Sequence, residues 1–513
     1  MRAMKRKAEK ENKVLEELGE ANGMIVEHGD IQGDEKNIAI LLFLYLMQGI
    51  PLGLCSSIPM ILQNHNVSYK QQAEFSFVTW PFSLKLLWAP IVDSVFISKF
   101  GRRKTWLIPI QYLMGIFMLF LSNYIDYWLG NEEGSRLNIG LLTVLFFILN
   151  TLAATQDIVV DGWALTMLKR CNVGYASTCN SVGQTAGFFL GYVLFMAFES
   201  PDFCNAYLRT VPSHKGMITL AGFLYFWGIV FLITTTLVGI FKHEKEERIP
   251  KGEEINIRKA YKILWTTMKL PNIKLIMLIL LTLKIGFSAS DAVTSLKMVE
   301  GGIPKEKFAL IAVPLIPLQI VLPLFISKYT AGPKPMDIFL KAYPYRLLFG
   351  LVAAFIVWIT PHFVHHGEVP AYYFVFLIVI YLLHQVCSSC MYVASMAFFA
   401  RISDPAVGGT YMTFLNTLCN LGGNWPATAA LYFVDALTFR QCSNDATNDC
   451  STASEKETCT KTDGVCNMLL DGYYIESFLC VILGFLWFRW GRRKIEYLQN
   501  RPASTWKVIQ DKH

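Results

Sequence analysis

Long apolar stretches alternate with short polar ones along this chain. Residues 38–62 carry no Asp, Glu, Lys or Arg, and the same holds for 105–125, 217–241, 308–327 and 405–434. Each is long enough to cross a bilayer, which takes roughly 20 apolar residues. A soluble surface helix keeps a polar face and has no reason to be apolar all round over such a length. The pattern predicts about twelve helices, near 38–62, 73–97, 105–125, 138–168, 174–198, 217–241, 272–294, 308–327, 346–362, 370–400, 407–434 and 472–490. The chain reads as an all-α, multi-pass membrane protein.

Charge sharpens this picture. Only 17% of the 513 residues are charged and 53% are hydrophobic, whereas a soluble domain sits near 25% charged. The net charge of +7 does not point to nucleic acid, because the cations flank apolar segments. Basic loops (Lys5 to Lys13, Lys99 to Lys104, Lys169–Arg170, 242–270, Lys328 to Lys341, Arg492 to Lys494) alternate with poorer ones (63–72, 126–137, 199–216, 363–369, 435–471). By the positive-inside rule both termini are cytosolic, which requires an even number of spans. The first 36 residues are polar, and the first apolar stretch is too long for the core of a cleavable signal, so it reads as a signal anchor. The other loops carry marks of the far side. Asn66-Val67-Ser68 is a glycosylation sequon. Cys442, Cys450, Cys459 and Cys466 lie in a polar loop at spacings that do not fit the short knuckles of structural zinc, so disulfides are favoured there.

The long loop 242–271 splits the spans six and six, and the halves echo each other. Ile97-Ser98-Lys99-Phe100 leads to Gly101-Arg102-Arg103-Lys104, and Ile326-Ser327-Lys328-Tyr329 leads to Gly332-Pro333-Lys334-Pro335. Two parallel six-helix halves around a midplane site describe the major facilitator architecture. The expected organisation is a polar segment 1–36, a first half 37–241, a linker 242–271, a second half 272–490 that includes the cysteine loop 435–471, and a tail 491–513.

Trp88-Ala89-Pro90-Ile91-Val92-Asp93, followed by Gly101-Arg102-Arg103-Lys104, resembles a stretched major facilitator loop signature. Further motifs are Gln48-Gly49-Ile50-Pro51-Leu52-Gly53-Leu54, Trp80-Pro81-Phe82-Ser83-Leu84-Lys85, Ala154-Thr155-Gln156-Asp157 to Asp161-Gly162-Trp163, Asn172 to Asn180, and Gly408-Gly409-Thr410-Tyr411-Met412 to Gly422-Gly423-Asn424-Trp425-Pro426. On these the chain is similar, from about residue 37 onward, to the eukaryotic acetyl-coenzyme A transporters, in a branch shared with bacterial muropeptide permeases. The resemblance implies a carrier of the endoplasmic-reticulum membrane that moves acetyl-CoA from cytosol to lumen by alternating access. Acetyl-CoA is then transported substrate, and no cofactor or metal is expected. Free CoA and a second copy of the chain are kept open as partners beside the bilayer. It also implies that Asp93, Gly101, Arg102 and Arg103 form a gating latch that holds the state open to the far side.

Acetyl-CoA carries roughly four negative charges at pH 7, so a carrier needs cations, an adenine platform and amide partners. Lys85 and Lys284 lie inside apolar helices, where a Lys costs about 2.5–3.5 kcal/mol on insertion scales and faces a cavity or a partner. Either they contact phosphate or they pair with Asp157, Asp161 or Asp291. Those three aspartates are candidates for proton coupling or for ion pairs. Asp157 and Asp161, four apart, share one helix face. Asn416, Asn420 and Asn424 form a polar stripe, and with Gln48, Gln184 and Gln319 they would line a passage or bond neighbouring helices. Trp80, Trp88, Trp163 and Trp425 are adenine candidates, or bland interface aromatics. Gly183, Gly187 and Gly191 spell close helix packing. Arg346, near an expected helix end, reads as snorkelling. His362, His365 and His366 read as solvated loop. The rival readings are a peptide or muropeptide permease and a multispan luminal acyltransferase with His384 as base, although span ten offers no Asp or Glu to orient it.

Overall fold

The computed structural model describes residues 33–64, 67–97, 99–130, 136–168, 175–244, 257–330, 334–364, 368–403, 408–443, 450, 453–461 and 464–506. Asn66, His365 and His366 lie outside these residues.

Twelve crossing elements appear in chain order. Spans 1, 3, 4 and 6 are the helices Glu35–Asn64, Lys104–Trp128, Ile139–Met167 and Leu220–Phe241. Span 2 covers 69–94 in short pieces, and span 5 covers 175–199 with a π-turn at Leu190–Leu194. Span 7 runs Pro271–Glu300 with breaks, and span 8 covers 305–330. Spans 9 to 12 are Met336–Phe363, Ala371–Ile402, Gly408–Ala436 and Gly472–Gln499. Ten of the twelve are long and apolar enough by themselves to cross a membrane. The other two are span 2, broken by Pro81 and Pro90, and span 11, which carries the Asn stripe.

Both described chain ends lie at one end of the bundle, here the terminal end. Asn37 donates to the Met167 carbonyl at 3.0 Å, tying the start of span 1 to the end of span 4. Gln499 accepts from the Met336 amide at 2.9 Å, tying the end of span 12 to the start of span 9. The opposite, loop end carries two short antiparallel strands, β1 (Phe439–Cys442) and β2 (Cys466–Leu470), with Cys442 opposite Cys466. Disulfides Cys442–Cys459 and Cys450–Cys466 staple this loop across the helix Ala453–Lys461. The three clustered sulfurs of Cys442, Cys450 and Cys459 are thereby taken up.

Three differences from the expected elements matter. Span 9 begins ten residues earlier than the apolar stretch suggests, because Gln499 and its bond to Asp337 at 3.1 Å anchor a polar first turn. Span 12 continues through Arg492, Arg493 and Lys494, supported by an Arg492–Glu496 pair at 2.8 Å one turn apart. The linker contains an amphipathic helix, Ile257–Lys269, with Arg258, Lys259, Lys262, Trp265 and Lys269 exposed.

Spans 1 and 5 show why the small-residue repeat exists. A Cβ on Gly187 would overlap the Leu46 carbonyl oxygen, and one on Gly191 would overlap that of Ile50. From the other side, Gly49 and Gly53 press on the Gln184 and Phe188 carbonyls. Without a hydrophobic drive between helices in lipid, this backbone approach supplies the packing. Gly187→Leu will therefore reduce the folded, monodisperse yield sharply. Overpacking alone costs about 1–3 kcal/mol, and here the obstacle is backbone. Gly140→Ala, whose Cβ meets only Asn138 Oδ1 at 3.8 Å, will leave the size-exclusion profile unchanged.

Candidate functional site

The two intramembrane lysines both sit where α-helix gives way to a 3-10 turn. In span 2, Pro81 restarts a helix that lasts only to Leu84, and Lys85 opens the turn Lys85–Leu87 before Pro90 restarts it again. Proline lacks an N–H and clashes with the preceding turn. In span 7 the helix Pro271–Thr282 stops, Lys284 caps the turn Ile285–Phe287, and Ser288–Ala292 resumes. The carbonyls freed at this break are bonded from other spans, by Trp425 Nε1 to Leu281 at 2.7 Å and Tyr343 OH to Leu283 at 3.2 Å. In hydrocarbon such groups cannot be left bare.

In the first half, Lys85 is 6% exposed and pairs with Asp157. Gln48, fully buried on span 1, donates Nε2 to the other Asp157 oxygen. One turn on, Asp161 accepts from Tyr45 OH at 2.8 Å and Asn180 Nδ2 at 3.1 Å. Both aspartates do share one face, but only Asp157 holds a cation. Lys85 is thus an internal ion pair in this state. Asp161 is exposed, as is Tyr392 of span 10 at 59%, and Tyr392 lies within electrostatic range of Asp161, Lys85 and Asp157. Asp161 and Tyr392 thus stand on opposite halves, on the terminal side of Lys85.

The second half differs. Lys284 is half-buried and has no carboxylate partner among the described residues. Its Nζ lies 2.9 Å from where a Cβ on Gly423 would stand, so this glycine makes the room it occupies. Asp291 does not serve it. Instead Asp291 Oδ2 accepts from Arg346 Nη2 at 2.7 Å, and Arg346 stacks on the Phe287 ring at 4.5 Å. Arg346 is 8% exposed and three turns inside span 9. It does not snorkel, and the early start of span 9 is the reason. His384 Nε2 stands 4.0 Å from Asp291 Oδ1, so the carboxylate that faces this histidine comes from span 7. A further carboxyl, Glu476 of span 12, is 7% exposed with Oε2 unpartnered.

The remaining candidates divide. Asn416, Asn420, Gln184 and Gln319 are half-buried and without side-chain partners among the described residues. Asn424 instead bridges the halves, donating to Ser83 Oγ at 2.8 Å and to the Thr79 carbonyl at 3.3 Å. Trp80 Nε1 donates to Thr428 Oγ1 at 3.3 Å and Trp88 Nε1 to Thr155 Oγ1 at 3.1 Å. Trp163 is buried in the first-half core at 2% exposure, and Trp425 closes the span 7 break. Asp93 Oδ1 pairs with Arg103 Nη1 at 2.6 Å, and its carbonyl accepts from Arg102 Nε at 3.0 Å. Gly101 turns this loop at φ 102°. Glu244 accepts from the Arg103 and Lys104 amides at 2.9 and 3.0 Å, a carboxylate on the N-terminus of span 3. Asp93 thus meets Arg102 and Arg103 within the first half, and Glu244 of the linker joins them.

Sequence reasoning missed the seal at the loop end. Tyr69 OH bonds Glu300 at 2.5 Å, and Lys297 joins Glu300 at 3.0 Å and also Asp471, lying 4.6 Å over the Tyr69 ring. Beside it, Lys305 pairs with Glu199 at 2.7 Å and Ser76 Oγ meets Thr428 Oγ1 at 2.7 Å. Among the described residues, the direct bonds between the halves run from Asn424 to this seal. The only signal in sequence was the spacing of Lys297 and Glu300 one turn apart.

Two halves enclosing polar space, sealed at one end, define a membrane transporter of the major facilitator fold. A bacterial homolog of the human lysosomal transporter Spinster has the same fold, with a TM-score of 0.54 at 13% identity, over 94% of this chain and 100% of that one. The chain matches the family Acetyl-coenzyme A transporter 1 over residues 37–256, 246–347 and 336–508, and it belongs to that family. An uncharacterized protein of Schizosaccharomyces pombe is 36% identical over 476 residues, 92% of this chain and 89% of that protein. The anhydromuropeptide permease of Escherichia coli is 28% identical over 162 residues, 31% of each chain.

Removing one partner of a buried ion pair costs about 3–5 kcal/mol. Lys85→Ala will therefore lower the thermal stability of the purified protein, and Lys85→Ala with Asp157→Ala will recover most of it. Equal losses in single and double variants would show that the pair is not what holds span 2 to span 4.

Proposed function

We propose that this protein carries acetyl-CoA from the cytosol into the lumen of the endoplasmic reticulum by alternating access. Membership of the Acetyl-coenzyme A transporter 1 family supports the choice of cargo. The observation that carries the reading is Lys284, a half-buried cation with no counter-charge of its own among the described residues. Holding an unpaired Lys in a membrane span is costly, and an anionic cargo would supply the missing charge. Asn416, Asn420 and Gln184, whose side chains are likewise unengaged among the described residues, offer amide partners for the pantetheine arm. The basic surface at the terminal end, on the linker helix and at Arg492 and Arg493, supports a cytosolic face there. The disulfide loop supports an oxidising compartment at the other end. The bonded seal at the loop end supports a state closed toward the lumen.

Purified protein in liposomes will take up labelled acetyl-CoA saturably, with free CoA as an effective competitor and an anhydromuropeptide as an ineffective one. Competition by the muropeptide alone would favour a permease of the kind named for the Escherichia coli relative. Lys284→Ala will keep its folded yield, since no partner is orphaned. It will weaken apparent affinity about 10- to 100-fold, the loss of one charge-assisted contact worth ~1.5–3 kcal/mol. Unchanged uptake in that variant would remove Lys284 from the cargo site.

A further inference from the structure

The cluster Asp291–Arg346–His384 is built differently from the Lys85–Asp157 pair. Arg346 and His384 share one carboxylate from opposite sides. Arg346 holds Oδ2 at 2.7 Å, and His384 Nε2 faces Oδ1 at 4.0 Å, just outside hydrogen-bond reach. Arg346 is more than nine-tenths buried, yet its Nε has no acceptor among the described residues. Asp291 and His384 are about a third exposed. A guanidinium with an unused buried donor, restrained by a carboxylate, is a cation held in reserve.

We propose that His384 is a proton-binding site that controls whether Arg346 is available to an anionic cargo. The inference rests on the acetyl-CoA reading and names its coupling ion. A neutral imidazole leaves Asp291 committed to Arg346. When His384 takes up one proton it becomes an imidazolium, gains a second N–H donor and draws Asp291 Oδ1 to itself. The carboxylate then serves two cations, and the cluster carries one more positive charge. Arg346 turns its free donors to a phosphate group of the cargo. Proton and anion thus bind cooperatively, each favouring the other by the same factor, and both cross together. Histidine is the side chain whose unperturbed charge change falls between pH 5 and 8.

Two further carboxyls of the spans, Asp161 of span 4 and Glu476 of span 12, can also take up a proton, and the His384 variants distinguish them from this site. Span 8 carries no charged residue between 308 and 327, and span 11 carries none between 408 and 434. Span 9 contributes Arg346 and the Phe349 ring, set edge-on to the imidazole at 6.0 Å. Span 7 contributes Asp291. On span 10 itself the nearest titratable side chains are Tyr381 and Cys387.

The test is the pH profile of labelled acetyl-CoA exchange in proteoliposomes, with equal pH on both sides. Wild-type exchange will rise severalfold as pH falls from about 8 to about 5. The cargo 3′-phosphate also titrates near pH 6, so the variants give the baseline. His384→Gln will exchange slowly with a shallow profile. His384→Arg, a permanent cation, will exchange faster than the Gln variant and also with a shallow profile. A wild-type slope retained in His384→Gln overturns the proposal, as does a flat wild-type profile. If the wild-type protein exchanges no acetyl-CoA at any pH, the cargo assignment falls and this inference with it. Exchange without the predicted pH dependence overturns this inference alone.

Discussion

A charge inside hydrocarbon must have a counter-charge or water, and the arrangement of this molecule follows from how each half meets that demand. The first half satisfies it internally: Asp157 neutralises Lys85, and neutral donors from Tyr45 and Asn180 hold Asp161. The second half satisfies it incompletely. Lys284 has no carboxylate among the described residues, and Arg346 is held through one edge of its guanidinium while Nε stays bare. On the proposed function the first half is a braced frame, and the second keeps positive charge ready for an anionic cargo.

The same demand explains the broken helices. A lysine placed at a 3-10 turn has its flanking backbone disordered from the i→i−4 ladder, and that backbone must bond elsewhere. Trp425 and Tyr343 supply those bonds around Lys284. Such a break can re-form differently at little cost, because side chains and not the helix itself satisfy it. Glycine seams do the opposite. At spans 1 and 5 backbone meets backbone with no room for adjustment, so these two spans of the first half move as one piece. The halves meet through the polar bonds of the seal and through apolar packing that both halves share, and rocking requires this interface to open.

The twelve-element count, the two halves and the tight glycine seam were legible in sequence, because they rest on apolar length and on small-residue spacing. Partner choice was not. Asp291 could have served Lys284 or Arg346, and only the early start of span 9 brings Arg346 to its level. That start depends on Gln499 binding Asp337 and the Met336 amide, a contact between residues more than 160 positions apart in sequence. His384 looked isolated for the same reason, since its carboxylate lies on another span. The loop-end seal joins Tyr69, Lys297, Glu300 and Asp471, which stand in three separate stretches of chain. Hydrophobic periodicity carries no information about such meetings.

On the proposed function the sealed loop end must open for cargo to leave. Ser76 and Thr428 face each other across the halves with their oxygens 2.7 Å apart. Replacing both with cysteine in a background lacking the membrane-embedded free thiols puts a removable clamp on the seal. Uptake of labelled acetyl-CoA by this variant should stop on oxidation and return on reduction, while cargo binding to the detergent-solubilised protein persists in both states. Full uptake with the cross-link demonstrably formed would contradict the account.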